Sequence, residues 1–316
     1  MRKKVRIFLY SAVAGGSLFC LYLVYYSLKD HTNNLLSRVS PILSTDVTLI
    51  STDSSSAVYS IRIDTETLPG LQCFLRVPVQ SDRGPFPAII LLGGVNTGRD
   101  AIHFVGESSY TDDFIFMTMD YPYAGKKKDL TAFEFIAAIP SIRDAILNSV
   151  PAVITMIDYL ETREEVDKDQ IFTAGASFGI FFTIVSAAID TRVKATMSFF
   201  SAGDISGMIA NNIDFGPSFI RKPLGFLSYL LLLPVEPLNY IDRIVPRHFL
   251  MVNGRDDDRV PQELVEKLYN KAGEPKELIW LDADHFNTDK EQLIAQITGI
   301  AVNWLAKNGL VEIKRD

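Results

Sequence analysis

Between residues 47 and 92 the chain alternates short apolar runs with turn residues: runs at 47–51, 57–63, 71–77 and 88–92, with Leu68-Pro69-Gly70 marking one turn. Apolar stretches of this length, bounded by Gly, Pro and Asp, predict strands that open a sheet in antiparallel fashion. Beyond residue 92 the pattern changes. Strand-like runs at 114–119, 170–174, 195–200, 248–252 and 278–281 alternate with helix-like stretches at 142–160, 180–188 and 290–307. Alternation of this kind predicts βαβ units, and so an α/β fold with a mostly parallel sheet and helices on both faces. Pro151 is expected to kink or divide the 142–160 helix.

A long insertion, 201–242, separates two of these strands. Within it LGFLSYLLLLPV, residues 224–235, is too short to span a bilayer and too apolar to lie bare in water. Two placements satisfy it: a helix packed over the sheet edge, or a helical cap that shapes access to a site. No internal repeat or low-complexity stretch interrupts the chain.

Residues 7–28, IFLYSAVAGGSLFCLYLVYYSL, carry no charge over 22 positions, long enough as a helix to cross a hydrocarbon core. Arg2, Lys3, Lys4 and Arg6 precede the run, which predicts an N-terminus held in the cytoplasm and a folded part on the periplasmic or extracellular side. Tyr22, Tyr25 and Tyr26 suit the far interface. A cleaved signal would have a shorter apolar core followed by a small-x-small site; Ala12-Val13-Ala14 falls too early, and nothing similar follows Leu28. The expected organisation is a basic flank and anchor at 1–29, a polar juxtamembrane linker at 30–46, and one domain at 47–316.

The remaining totals narrow the functions available. With 316 residues, 47% of them hydrophobic, the chain supports one large core. Residues 1–29 hold five cations and no acid, so the rest carries 26 cations against 38 acids, a net of −12. A fold this acidic repels phosphate backbones, which excludes nucleic acid as an expected partner and speaks against strong peripheral binding of the folded domain to anionic lipid. Cys20 lies in the apolar run and leaves Cys73 alone, so neither a disulfide framework nor a cysteine zinc site can be built.

Gly175-Ala176-Ser177-Phe178-Gly179 fits G-x-S-x-G, and its setting gives the match weight: QIFTA before it reads as a strand and IFFTIVSAAI after it as a helix. Such a turn lifts a serine above the carboxyl end of its strand, where open α/β sheets bind ligands. A hydroxyl needs a base to attack at neutral pH. Of four histidines, His31 is next to the apolar run, His103 precedes the serine and His248 opens a strand-like run, which leaves His285 in the polar loop after the last strand. An acid that orients this base is expected after the strand at 248–252, where Asp256, Asp257 and Asp258 are all candidates.

Gly254-Arg255-Asp256-Asp257-Asp258-Arg259-Val260-Pro261 resembles the G-x-x-D-x-x-V-P signature of α/β-hydrolases related to dienelactone hydrolases and prolyl-oligopeptidase catalytic domains. Laying Gly254 and Val260-Pro261 on that signature selects Asp257. Leu91-Leu92-Gly93-Gly94-Val95 resembles the apolar-apolar-His-Gly loop of the same proteins, with Gly93 where histidine is usual. The resemblance implies an oxyanion hole formed by the backbone N–H groups of Val95 and Phe178. Asp120-Tyr121-Pro122-Tyr123-Ala124-Gly125 resembles the loop that borders the pocket. The fold implied is an α/β-hydrolase; with the readings of the insertion and of the N-terminal run, the expected architecture is that fold with a helical cap insertion at about 201–242, preceded by one transmembrane helix.

The chemistry expected is acyl transfer through a covalent serine intermediate, with a small-molecule ester or acyl compound as substrate and no metal or organic cofactor. Esters demand the least leaving-group activation. A small-peptide amidase or peptidase is the alternative, although the stretch before the core strands is far too short for a gating propeller. A non-catalytic scaffold with this fold is a third reading, set against the presence of all three triad residues.

Overall fold

The computed structural model describes residues 17–18, 21–26, 29–79, 84–94, 100–102, 111–123, 125, 131–213, 217–285 and 291–312. Its strands are β1 (Ile42–Thr52), β2 (Ser56–Thr65), β3 (Leu71–Pro78), β4 (Phe86–Leu92), β5 (Ile115–Met119), β6 (Val166–Ala176), β7 (Val193–Phe199), β8 (His248–Gly254) and β9 (Lys276–Leu281). They form one sheet in the order β1-β2-β3-β5-β4-β6-β7-β8-β9. Pairing is antiparallel from β1 through β3 to β5 and parallel from β5 to β9. The chain steps from β4 to β5 on one side and then to β6 on the other, so the carboxyl ends of β4 and β6 flank a switch point, the position where such sheets take ligands.

Strand side chains alternate between two buried faces. Ile90, Leu92, Ile171, Val193 and Met251 pack with residues of α2 (Ala132–Glu161), α3 (Ile180–Ile189) and α6 (Gln262–Lys271), whereas Ile89, Phe172, Ala174, Met197 and Val252 pack with Ile297, Val302 and Leu305 of α7 (Glu291–Lys307). Burial on both sides is why the central strands read as continuous apolar runs.

Two expectations need correction. The helix expected at 142–160 runs for 30 residues from Ala132, capped by Thr131 and Glu134 in a reciprocal box. Pro140 and Pro151 lie inside it and do not divide it. Buried contacts of Leu147, Val150, Val153 and Ile157 against the sheet outweigh the one hydrogen bond that Pro151 removes. Residues 30–46, expected as a linker, are built into the domain. They carry α1 (Thr32–Leu36), whose Leu35 is fully buried, and the start of β1, and Arg38 reaches Asp144 of α2 at 2.7 Å.

The insertion at 201–242 forms α4 (Ile205–Asn212) and α5 (Ser218–Leu232), then three short 3-10 turns that lead towards β8. Buried Glu236 closes its base. It accepts hydrogen bonds from the N–H groups of Asp204, Ile205 and Leu238, and burial pushes its carboxyl above the usual glutamate range. Most of the N-terminal apolar run lies outside the described residues; residues 21–26 are helical, with Leu21, Tyr22, Val24 and Tyr25 exposed.

Candidate active site

β6 delivers Ser177 into a left-handed backbone conformation (φ 51°), and α3 starts three residues later. A β-carbon at Gly175 would stand 2.5 Å from Thr183 Oγ1 and 2.8 Å from the Ile180 backbone, and one at Gly179 would run into the Leu92 carbonyl. The two glycines of G-x-S-x-G are therefore what lets strand, serine and helix meet at so sharp an angle.

His285 follows β9 and turns its ring to the serine, with Nε2 at 3.5 Å from Ser177 Oγ. That is a long contact, of the kind that tightens when a substrate is seated. On the other side Nδ1 donates to both carboxylate oxygens of Asp257, at 2.9 and 2.8 Å. Asp257 Oδ1 also accepts the N–H groups of Arg259 and Val260 at 3.0 Å each. The Asp257 side chain is 0% exposed and that of His285 13%, while Asp256 and Asp258 face solvent. A buried carboxylate with two backbone donors stays fixed, and it holds a hydrogen on Nδ1 so that Nε2 is the nitrogen free to take a proton.

The structure thus brings Ser177, His285 and Asp257 into one chain of contacts. His31 is buried elsewhere, its Nε2 at 3.0 Å from the Tyr26 carbonyl oxygen, and His248 meets the ring of Trp304 edge-on. His103 and Val95 lie outside the described residues. Phe178 is the second residue of the helical turn that Ser177 opens, and N–H groups in a first turn have no intrahelical acceptor. Its ring sits edge-on to Tyr121, Phe181 and Phe182.

Tyr121 is more than a loop residue. Its ring is packed against Phe178 and its hydroxyl donates to the Gly93 carbonyl at 2.6 Å, which ties the end of β5 to the end of β4. Burial drives that hydroxyl far above the usual phenol range, so it remains a neutral donor. Asp120, Tyr121 and Tyr123 border a cavity of about 300 Å³ shared with the turn before β3.

Several contributors escaped the sequence. Ser201 Oγ donates to the Ser177 carbonyl at 2.8 Å, and Asn253 Nδ2 donates to the Ser201 carbonyl at 2.9 Å, a buried polar chain behind the elbow. A polar Asn253 at the end of an otherwise apolar strand was the available signal. Asn211 and Asn212 of α4 donate to the carbonyls of Asp258 and Arg259 at 2.8 Å each, which clips the insertion to the loop that carries Asp257. Among the described residues no cluster of three or more His, Cys, Asp or Glu has metal-binding geometry, and the buried Cys73 thiol is pushed up by desolvation, away from thiolate chemistry.

No protein-family model and no curated protein sequence matches the chain. Solved structures do. An acetyl xylan esterase from Paenibacillus sp. R4 is similar at a TM-score of 0.63 with 16% identity, over 88% of this chain and 93% of that one. A cold-adapted esterase from an Arctic intertidal metagenomic library gives 0.57 and 14%, over 84% and 99%. An alpha/beta hydrolase, GrgF from Penicillium sp. sh18, gives 0.52 and 17%, over 84% and 97%.

Proposed function

We propose that this chain, whose fold is that of an α/β-hydrolase, is a membrane-anchored serine esterase with Ser177 as nucleophile, His285 as general base and Asp257 as the residue that orients the base. The observation that carries this reading is the continuous contact from Ser177 Oγ through the imidazole to the buried Asp257 carboxylate. The esterases among the structurally similar proteins agree with the choice of substrate.

Ser177 Oγ attacks the acyl carbonyl as His285 Nε2 takes its proton, and the imidazolium is stabilised by the Asp257 charge on its far side. The negative charge that develops on the carbonyl oxygen rests on the N–H groups of Phe178 and Val95. Collapse expels the alcohol, which leaves with the proton from Nε2. Water then repeats the sequence on the acyl-enzyme and releases the carboxylic acid. No step calls on a cofactor.

Residues 7–28 serve as a single membrane span, with the N-terminus cytoplasmic and the domain periplasmic or extracellular. The basic flank and the exposed Leu18, Leu21, Tyr22, Val24 and Tyr25 support this placement. The chemistry is tested by labelling with a fluorophosphonate probe and by turnover of p-nitrophenyl acetate. Wild type should label at Ser177 and Ser177→Ala should lose both signals; labelling retained in Ser177→Ala would overturn the assignment.

A further inference from the structure

The apolar stretch of the insertion, expected to need cover, finds it for most of its length but not at Phe226 and Leu227, and the helix that carries it is bare at Phe219 as well. Phe219 is 76% exposed, Phe226 50% and Leu227 54%, and only 22% of the Ser218–Val235 window is buried. At helical spacing Phe219, Ile220, Pro223, Phe226 and Leu227 share one face of α5, while Gly225 on the opposite side packs against Ser206 and Ala210 of α4. α5 is thus apolar on its outer face, where a helix on a water-facing domain is polar. Contiguous apolar surface of this kind marks a binding face.

Charge and position say what the face meets. α5 has no acid; its cations Arg221 and Lys222 form no ion pair among the described residues, in a domain that is otherwise strongly acidic. Lys222 stands at the edge of the apolar face, the arrangement that suits anionic headgroups over acyl chains. Arg143 of α2 bridges the two apolar segments, with Nε donating to the Leu231 carbonyl at 3.0 Å and a terminal nitrogen 3.4 Å from the Tyr26 hydroxyl. The carboxyl end of α5 therefore sits where the N-terminal run enters the domain. α5 itself does not cross a bilayer once: β7 and β8 on either side of the insertion are neighbours in one sheet, so the chain returns to the side it left.

We propose that the outer face of α5 is a membrane-docking surface that lies in the interface of the bilayer holding the N-terminal span and binds anionic phospholipid. The inference rests on the anchored reading of residues 7–28. Docked in this way, the insertion brings the loop that carries Asp257, to which α4 is clipped, towards the lipid surface, with acyl esters dissolved in or facing the membrane as the substrates at hand.

The test uses the full-length chain in vesicles of phosphatidylcholine with phosphatidylglycerol. Phe219→Cys and Phe226→Cys, each combined with Cys20→Ser, carry a nitroxide; Cys73 is buried. Collisions with oxygen and with a water-soluble nickel chelate are compared with those of a label at exposed Glu263→Cys on α6. Docking predicts nickel collisions several-fold lower at both α5 positions than at the reference. It also predicts that Lys222→Gln weakens docking about fivefold, with turnover of a soluble short-chain ester unchanged. Nickel access at 219 and 226 equal to the reference, in vesicles from which alkaline carbonate does not extract the protein, overturns the docking and leaves the anchor standing. Extraction by carbonate overturns the anchor, and the docking with it. Spin–spin broadening at 226 that persists on dilution with lipid overturns the proposal in favour of a second copy of the chain.

Discussion

The Tyr121 hydroxyl donates to the carbonyl of Gly93, so a residue just past β5 fixes the backbone just past β4, one step before the loop assigned to hold the oxyanion. Tyr121→Phe keeps the ring against Phe178 and removes one hydrogen bond, worth about 1 kcal/mol. Because that bond positions the loop, kcat for a p-nitrophenyl ester should fall about tenfold while KM hardly moves. A loss confined to melting temperature, with kcat unchanged, would reduce Tyr121 to a packing residue.

Three adjacent acids offer an internal control. Asp257→Asn should lower kcat/KM by about 10³–10⁴, since an amide neither fixes the histidine tautomer nor balances its charge. Asp256→Asn and Asp258→Asn, both on exposed side chains, should stay within about twofold of wild type. Steady-state kinetics on the three purified variants decides between them.

Gly179→Ala should damage the elbow rather than the chemistry alone. Its β-carbon would collide with the Leu92 carbonyl, and relief means moving β4 or α3. Overpacking of this kind costs about 1–3 kcal/mol, visible as a lower urea midpoint with unchanged slope.

The base of the insertion carries a pH signature. Burial raises the Glu236 carboxyl above its ordinary value of 4.5. A group whose folded value is raised contributes stability that is complete below the unfolded value and is lost as pH rises through the folded one. Glutamine does not titrate. The melting temperature of wild type minus that of Glu236→Gln should therefore decline as pH rises from about 4 into the neutral range, by scanning calorimetry. A difference that is flat or rises with pH would count against a Glu236 carboxyl that burial holds above its ordinary value.

Protease added to spheroplasts should digest the catalytic domain while intact chains sediment with membranes. A protected domain would reverse the orientation, and a soluble product beginning near Asp30 would identify a cleaved signal.

The sheet was legible because strands 88–92, 170–174 and 248–252 are buried on both faces and therefore announce themselves as apolar runs. Ser177, His285 and the acid loop were legible because each sits in a loop after a strand, where motif spacing survives. The first turns of α2 were not, since Phe133 and Ile136 are exposed and give no one-sided period; the capping pair Thr131 and Glu134 was the clue passed over. Ser201, Asn211 and Asn212 act through backbone carbonyls far along the chain, contacts that no local pattern encodes.

The amide grip of Asn211 and Asn212 on the carbonyls of Asp258 and Arg259 divides the insertion into two parts with different freedom to change. α4 is bolted to the acid loop, so its length and register are constrained by the setting of that loop. α5 touches the rest chiefly through α4, and its replacement must keep the contact at Gly225, the carbonyl that Arg143 grips at Leu231 and the return to Glu236. For chimera design the exchangeable cassette runs from residue 213 to residue 232, and splice points placed earlier, inside α4, would change the setting of Asp257 along with the cap.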